Sequence, residues 1–204
     1  MLLAALLAAI AGYVDAICYL RLGGAFAANM TGNLVRMGIT TAEGNWLEAA
    51  WCASVLAAFL AGVLLARLVF QAHSSPRLAL MIEAGMVATA GTGILGDVAI
   101  PLLAAAMAMQ NEAVSHGVVA INVAFITGDL QKLGEQLVAE TVPEQNRAGG
   151  KRIILTVLIS YAAGAAVGTL AARWNAASLF LPVVCLVGAA ALRPGPRRAA
   201  SEPH

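Results

Sequence analysis

Few residues in this chain could do chemistry, and they fall into two similar sets. The first is Asp15 followed by Asn29, Thr31, Gly32 and Asn33; the second is Gln110, Asn111 and Glu112 followed by Thr127, Gly128 and Asp129. Thr31-Gly32-Asn33-Leu34 recurs as Thr127-Gly128-Asp129-Leu130, an offset of 96 that also carries Asp15 onto Asn111, Arg36 onto Lys132 and Gly38 onto Gly134. Further on, Phe59-Leu60-Ala61-Gly62 aligns with Tyr161-Ala162-Ala163-Gly164 once the second half has gained six residues. Carboxylate, amide and hydroxyl groups beside a glycine can hold an ion or a small polar solute. The same groups can also satisfy the free N–H and C=O of a broken helix, and both readings stay open at this stage.

Other chemistries lack their signatures. There is no HExxH, no Gly-x-Ser-x-Gly, no Ser/Lys or paired-Asp arrangement of recognisable spacing and no nucleotide-binding loop. The chain therefore reads as no enzyme, with no cofactor and no metal. Cys18, Cys52 and Cys185 are far apart in apolar stretches and read as small buried side chains. Glu112 and His116 share a helix face at i, i+4; an interfacial ion pair is preferred to a proton relay. Glu83 is expected to reach back to the cytoplasmic surface, and Arg21 and Arg36 to snorkel likewise. The remaining charges, such as Glu43 and Asp97, read as solvated loop residues.

The elements that position these groups follow from composition. Of 204 residues, 60% are hydrophobic and 11% charged, and the mean hydropathy is +0.82. One soluble core could not hide so much apolar surface, so the first partner is a lipid bilayer. A net charge of +1 gives no case for nucleic acid. Crossing the hydrocarbon takes about 20 apolar residues, and six stretches come near it: Leu2 to Leu20, Trp46 to Phe70, Leu78 to Leu95, Val98 to His116, Ile153 to Ala172 and Ala176 to Leu192. Trp46, Trp51 and Trp174 fall at span ends, where indole rings favour the headgroup boundary. The apolar start reads as a first span rather than a cleavable signal peptide. Gly164 and Gly168, at GxxxG spacing, let two backbones approach closely, either within one subunit (preferred) or between copies in a homo-oligomer.

From Leu2 to Ile39 is 38 residues, about 57 Å as one straight helix, so this segment must break. Gly23-Gly24 is the place for it, and Gly117 is its counterpart in the second half. The segments ending in the TG motifs then read as broken or re-entrant. The fold class is all-α: one polytopic transmembrane domain over residues 1–192, with repeats 1–96 and 97–192 and a short basic tail at 193–204. Three spans per half, an odd number, make the repeats inverted. If Ala25 to Thr40 crossed fully, each half would have four spans and the repeats would be parallel. With six spans, nine basic residues lie on one side against three on the other, placing both termini in the cytoplasm.

Gly12-Tyr13-Val14-Asp15-Ala16 followed by Asn29-Met30-Thr31-Gly32-Asn33-Leu34 resembles the start of the YoaK-type family of bacterial membrane proteins. Met107-Ala108-Met109-Gln110-Asn111 and Thr127-Gly128 resemble its second-half motifs. The resemblance extends from about Leu3 to Leu192 and implies about six spans in a bacterial inner membrane. It implies no substrate, because the family is defined largely as a domain of unknown function. Thr-Gly-Asp at 127–129 departs from the more familiar Thr-Gly-Thr or Thr-Gly-Asn, which changes the charge of that segment. The leading expectation is a secondary transporter or channel for a small polar solute or ion, with a pathway between the halves and a proton-coupling role for Asp15. A non-transporting membrane scaffold or assembly factor is the second.

Overall fold

A computed structural model describes residues 1–73, 75–117, 131, 133–134, 144–173 and 179–191. Every regular element among them is helical. In order they are α1 (Leu2–Arg21), α2 (Met30–Ala42), α3 (Trp46–His73), α4 (Pro76–Gly91), α5 (Ala99–Gly117), α6 (Glu144–Ala172) and α7 (Phe180–Ala191), with one 3-10 turn, Gly96–Val98, ahead of α5. Alanine and leucine dominate these segments, and both form helix without offering the backbone a competing partner. Local chemistry marks the starts. Asn29 caps α2 by accepting from the Gly32 N–H, and Ser75 caps α4 by accepting from the Leu78 N–H, with Pro76 in the first turn.

Four segments are long and apolar enough to cross a membrane: Leu2–Arg21, Trp46–His73, Gly96–Ser115 and Gly150–Ala172. They match the first, second, fourth and fifth expected spans. The third and sixth appear as α4 and α7, with 16 and 12 residues, about 24 and 18 Å of helix. Leu60, Leu64 and Leu68 on α3, Ile159 and Leu170 on α6, and Phe180 and Val184 on α7 are exposed. That apolar surface suits lipid rather than water.

α1 and α5 are the inner helices, buried over most of their length, while α3 and α6 lie outside them. α1 packs mainly on α6; α5 packs on α3 and α4, and α4 also packs on α7. Glycines make the two principal seams. A Cβ at Gly12 would overlap the carbonyl of Tyr161, one at Gly164 the carbonyl of Ala9, and one at Gly168 the carbonyl of Tyr13. On the other seam, a Cβ at Gly62 would overlap the backbone of Ala105. Ala9 and Ala105 differ by 96, and Gly62 and Gly164 by 102. These are the two offsets of the sequence repeat, so matching residues make matching contacts.

The contacts also fix directions. Ala9 meets Gly164 and Tyr13 meets Gly168, while Arg21 donates from Nε to the Ala172 carbonyl at 2.5 Å. α1 and α6 therefore run parallel. Gly91, at the end of α4, lies beside Leu179, which leads into α7; those two helices run antiparallel.

Small-residue seams of this kind tolerate no side chain. Gly164→Val is expected to force α1 from α6 and lower the melting temperature in detergent sharply, since overpacking costs about 1–3 kcal/mol or more. Gly85→Ala, where nothing lies within 4 Å, is the control expected to melt like the parent.

Candidate functional site

The site starts from the end of α1. After Arg21 the chain cannot continue as helix, because Gly23 (φ 118°) and Gly24 (φ 76°) adopt the left-handed conformation that other residues resist. The chain folds back inward: Ala25, Ala27 and Ala28 are buried, and the Phe26 ring stacks on Tyr19 with centroids 5.1 Å apart. This stretch has no intrahelical partners for its N–H groups, and Asp15 supplies them. Its carboxylate accepts from the Ala28 N–H at 2.7 Å and the Asn29 N–H at 3.1 Å, and from the Tyr161 hydroxyl of α6 at 2.5 Å. Asn33, fully buried, closes the loop from the other side. Its Oδ1 accepts from the Phe26 N–H at 2.8 Å and its Nδ2 donates to the Phe26 carbonyl at 2.7 Å.

Each residue of the first TG motif has a distinct place. Asn29 caps α2, accepting from the Gly32 N–H at 3.2 Å. Gly32 leaves room for the Phe26 ring, which a Cβ would strike. Thr31 is exposed. The second motif, Thr127, Gly128 and Asp129, lies outside the described residues, as does the rest of 118–130 after α5.

Arg36 ties the two ends of this segment together. Its Nη1 donates to the Gly23 carbonyl at 2.8 Å, and its guanidinium forms an ion pair with Glu48 at the start of α3. Asn45 also donates to Glu48, at 2.9 Å. The end of α1 and the start of α3 therefore lie at the same end of the bundle. Arg21 and Arg36, expected from sequence to snorkel, each have the head fixed by the partners named above. Beside the ion pair opens a recess of about 660 Å³, lined by Leu22, Arg36, Asn45, Glu48, Ser54 and Asp97 among others.

The second polar set lies elsewhere. Gln110 donates from Nε2 to the Leu7 carbonyl at 2.9 Å, so it meets α1 about 12 Å along the helix from Asp15. Glu112 pairs with Arg67 of α3, Nε to Oε2 at 2.8 Å; the His116 side chain lies outside the described residues. Asn111 is buried, and its Oδ1 has no hydrogen-bond partner. Asp15 and the Gln110–Glu112 set thus occupy two layers rather than one lining. Glu83 departs most from expectation. It does not reach a surface: it is 0% exposed, and neither carboxyl oxygen has a hydrogen-bond partner among the described residues.

Sequence reading missed Tyr161, Arg67 and Glu48. Tyr161 carried a signal, since the repeat aligns it with Phe59 and so adds one hydroxyl to the second half. Arg67 and Glu112 are opposite charges in two separate apolar spans, which is itself an invitation to pair them. Among the described residues no three His, Cys, Asp or Glu side chains cluster as metal ligands. A second crevice, about 200 Å³ between α1, α6 and α7, has almost purely apolar walls such as Leu6, Ile10 and Val167, which give a polar solute nothing to bind.

Asn33→Ala is expected to cost about 1–3 kcal/mol, because it strands the buried backbone of Phe26. Thr31→Ala should cost little. Thermal melts of the two variants in detergent check the difference.

No curated protein and no solved structure is matched by the chain. A family model described as a protein of unknown function, DUF1275, matches residues 3–192, in agreement with the YoaK-type resemblance. With the match covering nearly the whole chain, the protein belongs to the DUF1275 family.

Proposed function

We propose that this protein is a small secondary transporter or channel of the bacterial inner membrane for a small polar solute or ion, with both termini cytoplasmic. In this reading its halves are inverted repeats and α2 is a re-entrant helix. The observation that carries the reading is segment 22–45. It leaves α1, descends to the level of Asp15, and returns to the start of α3 at the same end of the bundle, beside an open recess where Arg36, Asn45, Glu48 and Asp97 alternate with apolar walls such as Leu22 and Trp51. Non-helical backbone at membrane depth is tolerated where it is buried in protein or lines a cavity, and transporters build sites from such broken helices.

The repeat reading is supported by the matched seams Ala9/Gly164 and Ala105/Gly62. Inversion is supported by the antiparallel α4 and α7, since parallel repeats would run their corresponding helices in one direction. Asp15 acts here as a latch that holds the re-entrant chain, with Thr31 as the TG residue free to meet a solute. One observation favours the second reading, a non-transporting scaffold: Asp15, Asn29 and Asn33 each hold the backbone of segment 26–32 through side-chain hydrogen bonds.

Flux into liposomes separates the two. A panel of small polar solutes and ions, followed by light scattering and pH-sensitive dye, is expected to reveal uptake that falls at least tenfold in Asp15→Asn. The Asn amide would turn an N–H donor toward backbone donors. Absence of flux across the panel favours the scaffold. Single cysteines at Asn29 and Met37 are expected to label from the side opposite the termini, and labelling from opposite sides would remove the re-entrant helix.

A further inference from the structure

Glu83 lies in the middle of α4, one of whose faces is formed by Ala79, Leu80, Glu83, Ala84 and Val87, all buried. α4 packs on α5 and α7, both from the second half of the chain, so this carboxyl sits in the seam between halves. α4 and α5 are joined by the short connection 92–98 and pack together, and are therefore antiparallel. Counting equal lengths from that connection puts Glu83 level with Met107, which is itself buried at mid-helix in α5, about 12 Å from the turn.

Among the described residues no cation compensates it. Glu112 is the acid of α5 nearest to that level, and it is already paired with Arg67, the basic group of α3 at that depth. His116 lies further along α5, and His73 ends α3. The titratable side chain of α7 among the described residues is Cys185, which lines the crevice against α1 and α6. On α4 itself Arg77 is exposed at the helix start. A carboxylate with neither donor nor counter-charge is not sustained at such depth, so the group must hold a cation of its own. The apolar side chains flanking it on α4 offer no further oxygens for a metal ion, whereas one proton needs none.

We propose that Glu83 is a proton-binding site at the seam of the two halves. Its carboxyl is protonated when the halves are packed as here. When α4 parts from α5 and α7, the O–H bond breaks, the proton passes to water and a carboxylate remains. This rests on the transporter reading for its purpose, but proton binding is measured without flux.

The test is infrared spectroscopy of the full chain in phosphatidylcholine vesicles, in H2O and D2O. At neutral pH the expected result is a protonated-carboxyl band that shifts in D2O, disappears in Glu83→Gln and persists in Asp15→Asn. Absence of the band, its survival in Glu83→Gln, or its loss on adding sodium would each overturn the proposal. Glu83→Met guards against misfolding. It should lose the band and melt at or above the parent temperature, since it replaces a partnerless polar group with an apolar one; a lower melting temperature would reveal a missed partner and overturn the proposal. If the band behaves as expected while no solute moves, the site stands and the transporter reading falls.

Discussion

A backbone N–H or C=O buried away from water must find a partner inside the protein, and this chain breaks its helical ladder between Leu22 and Asn29. The carboxylate of Asp15 makes the break tolerable by taking two backbone N–H groups and the Tyr161 hydroxyl at once. Much else follows from that requirement. Tyr161 reaches Asp15 because α6 lies almost in backbone contact with α1, and that closeness depends on glycine at 12, 164 and 168. A wider seam would draw the hydroxyl away and leave the Asp15 carboxylate one donor short. The fold of α2, the capping by Asn29 and the clamp by Asn33 are all built on an anchor one residue wide.

Three acids in the bundle have three different surroundings. Asp15 is saturated by donors, Glu112 is neutralised by Arg67, and Glu83 has neither. A charge in a low-dielectric interior is costly unless paired or hydrogen-bonded. The first two acids are therefore explained by structure alone, and the third is the one left with chemistry to do.

Composition, the break at Gly23-Gly24 and the repeat were legible because each is a local or periodic property of the chain. The offset of 96 relates Ala9 to Ala105, which meet equivalent glycines, but only the fold shows those contacts. Facing was not legible. A helix apolar on nearly all sides, as α4 is, gives no sign of which residue turns inward, so Glu83 could be placed only by the packing of α5 and α7. Partners distant in sequence were hidden for the same reason: Arg67 and Glu112 are 45 residues apart and Asp15 and Tyr161 are 146 apart. The donors to Asp15 come from backbone whose course only the fold reveals.

The seams join helices of different halves, α1 to α6 and α5 to α3, so neither half closes its own core. This has a consequence in time. During synthesis the ribosome delivers Tyr161, 146 residues after Asp15, about 7–30 seconds later at about 5–20 residues per second. Throughout that interval α1 stands in the bilayer with an open glycine groove and a carboxylate short of one donor. The nascent chain must therefore rely on the insertion machinery or on neighbouring lipid headgroups to shelter that acid, and the first half becomes a finished structure only when the second has arrived.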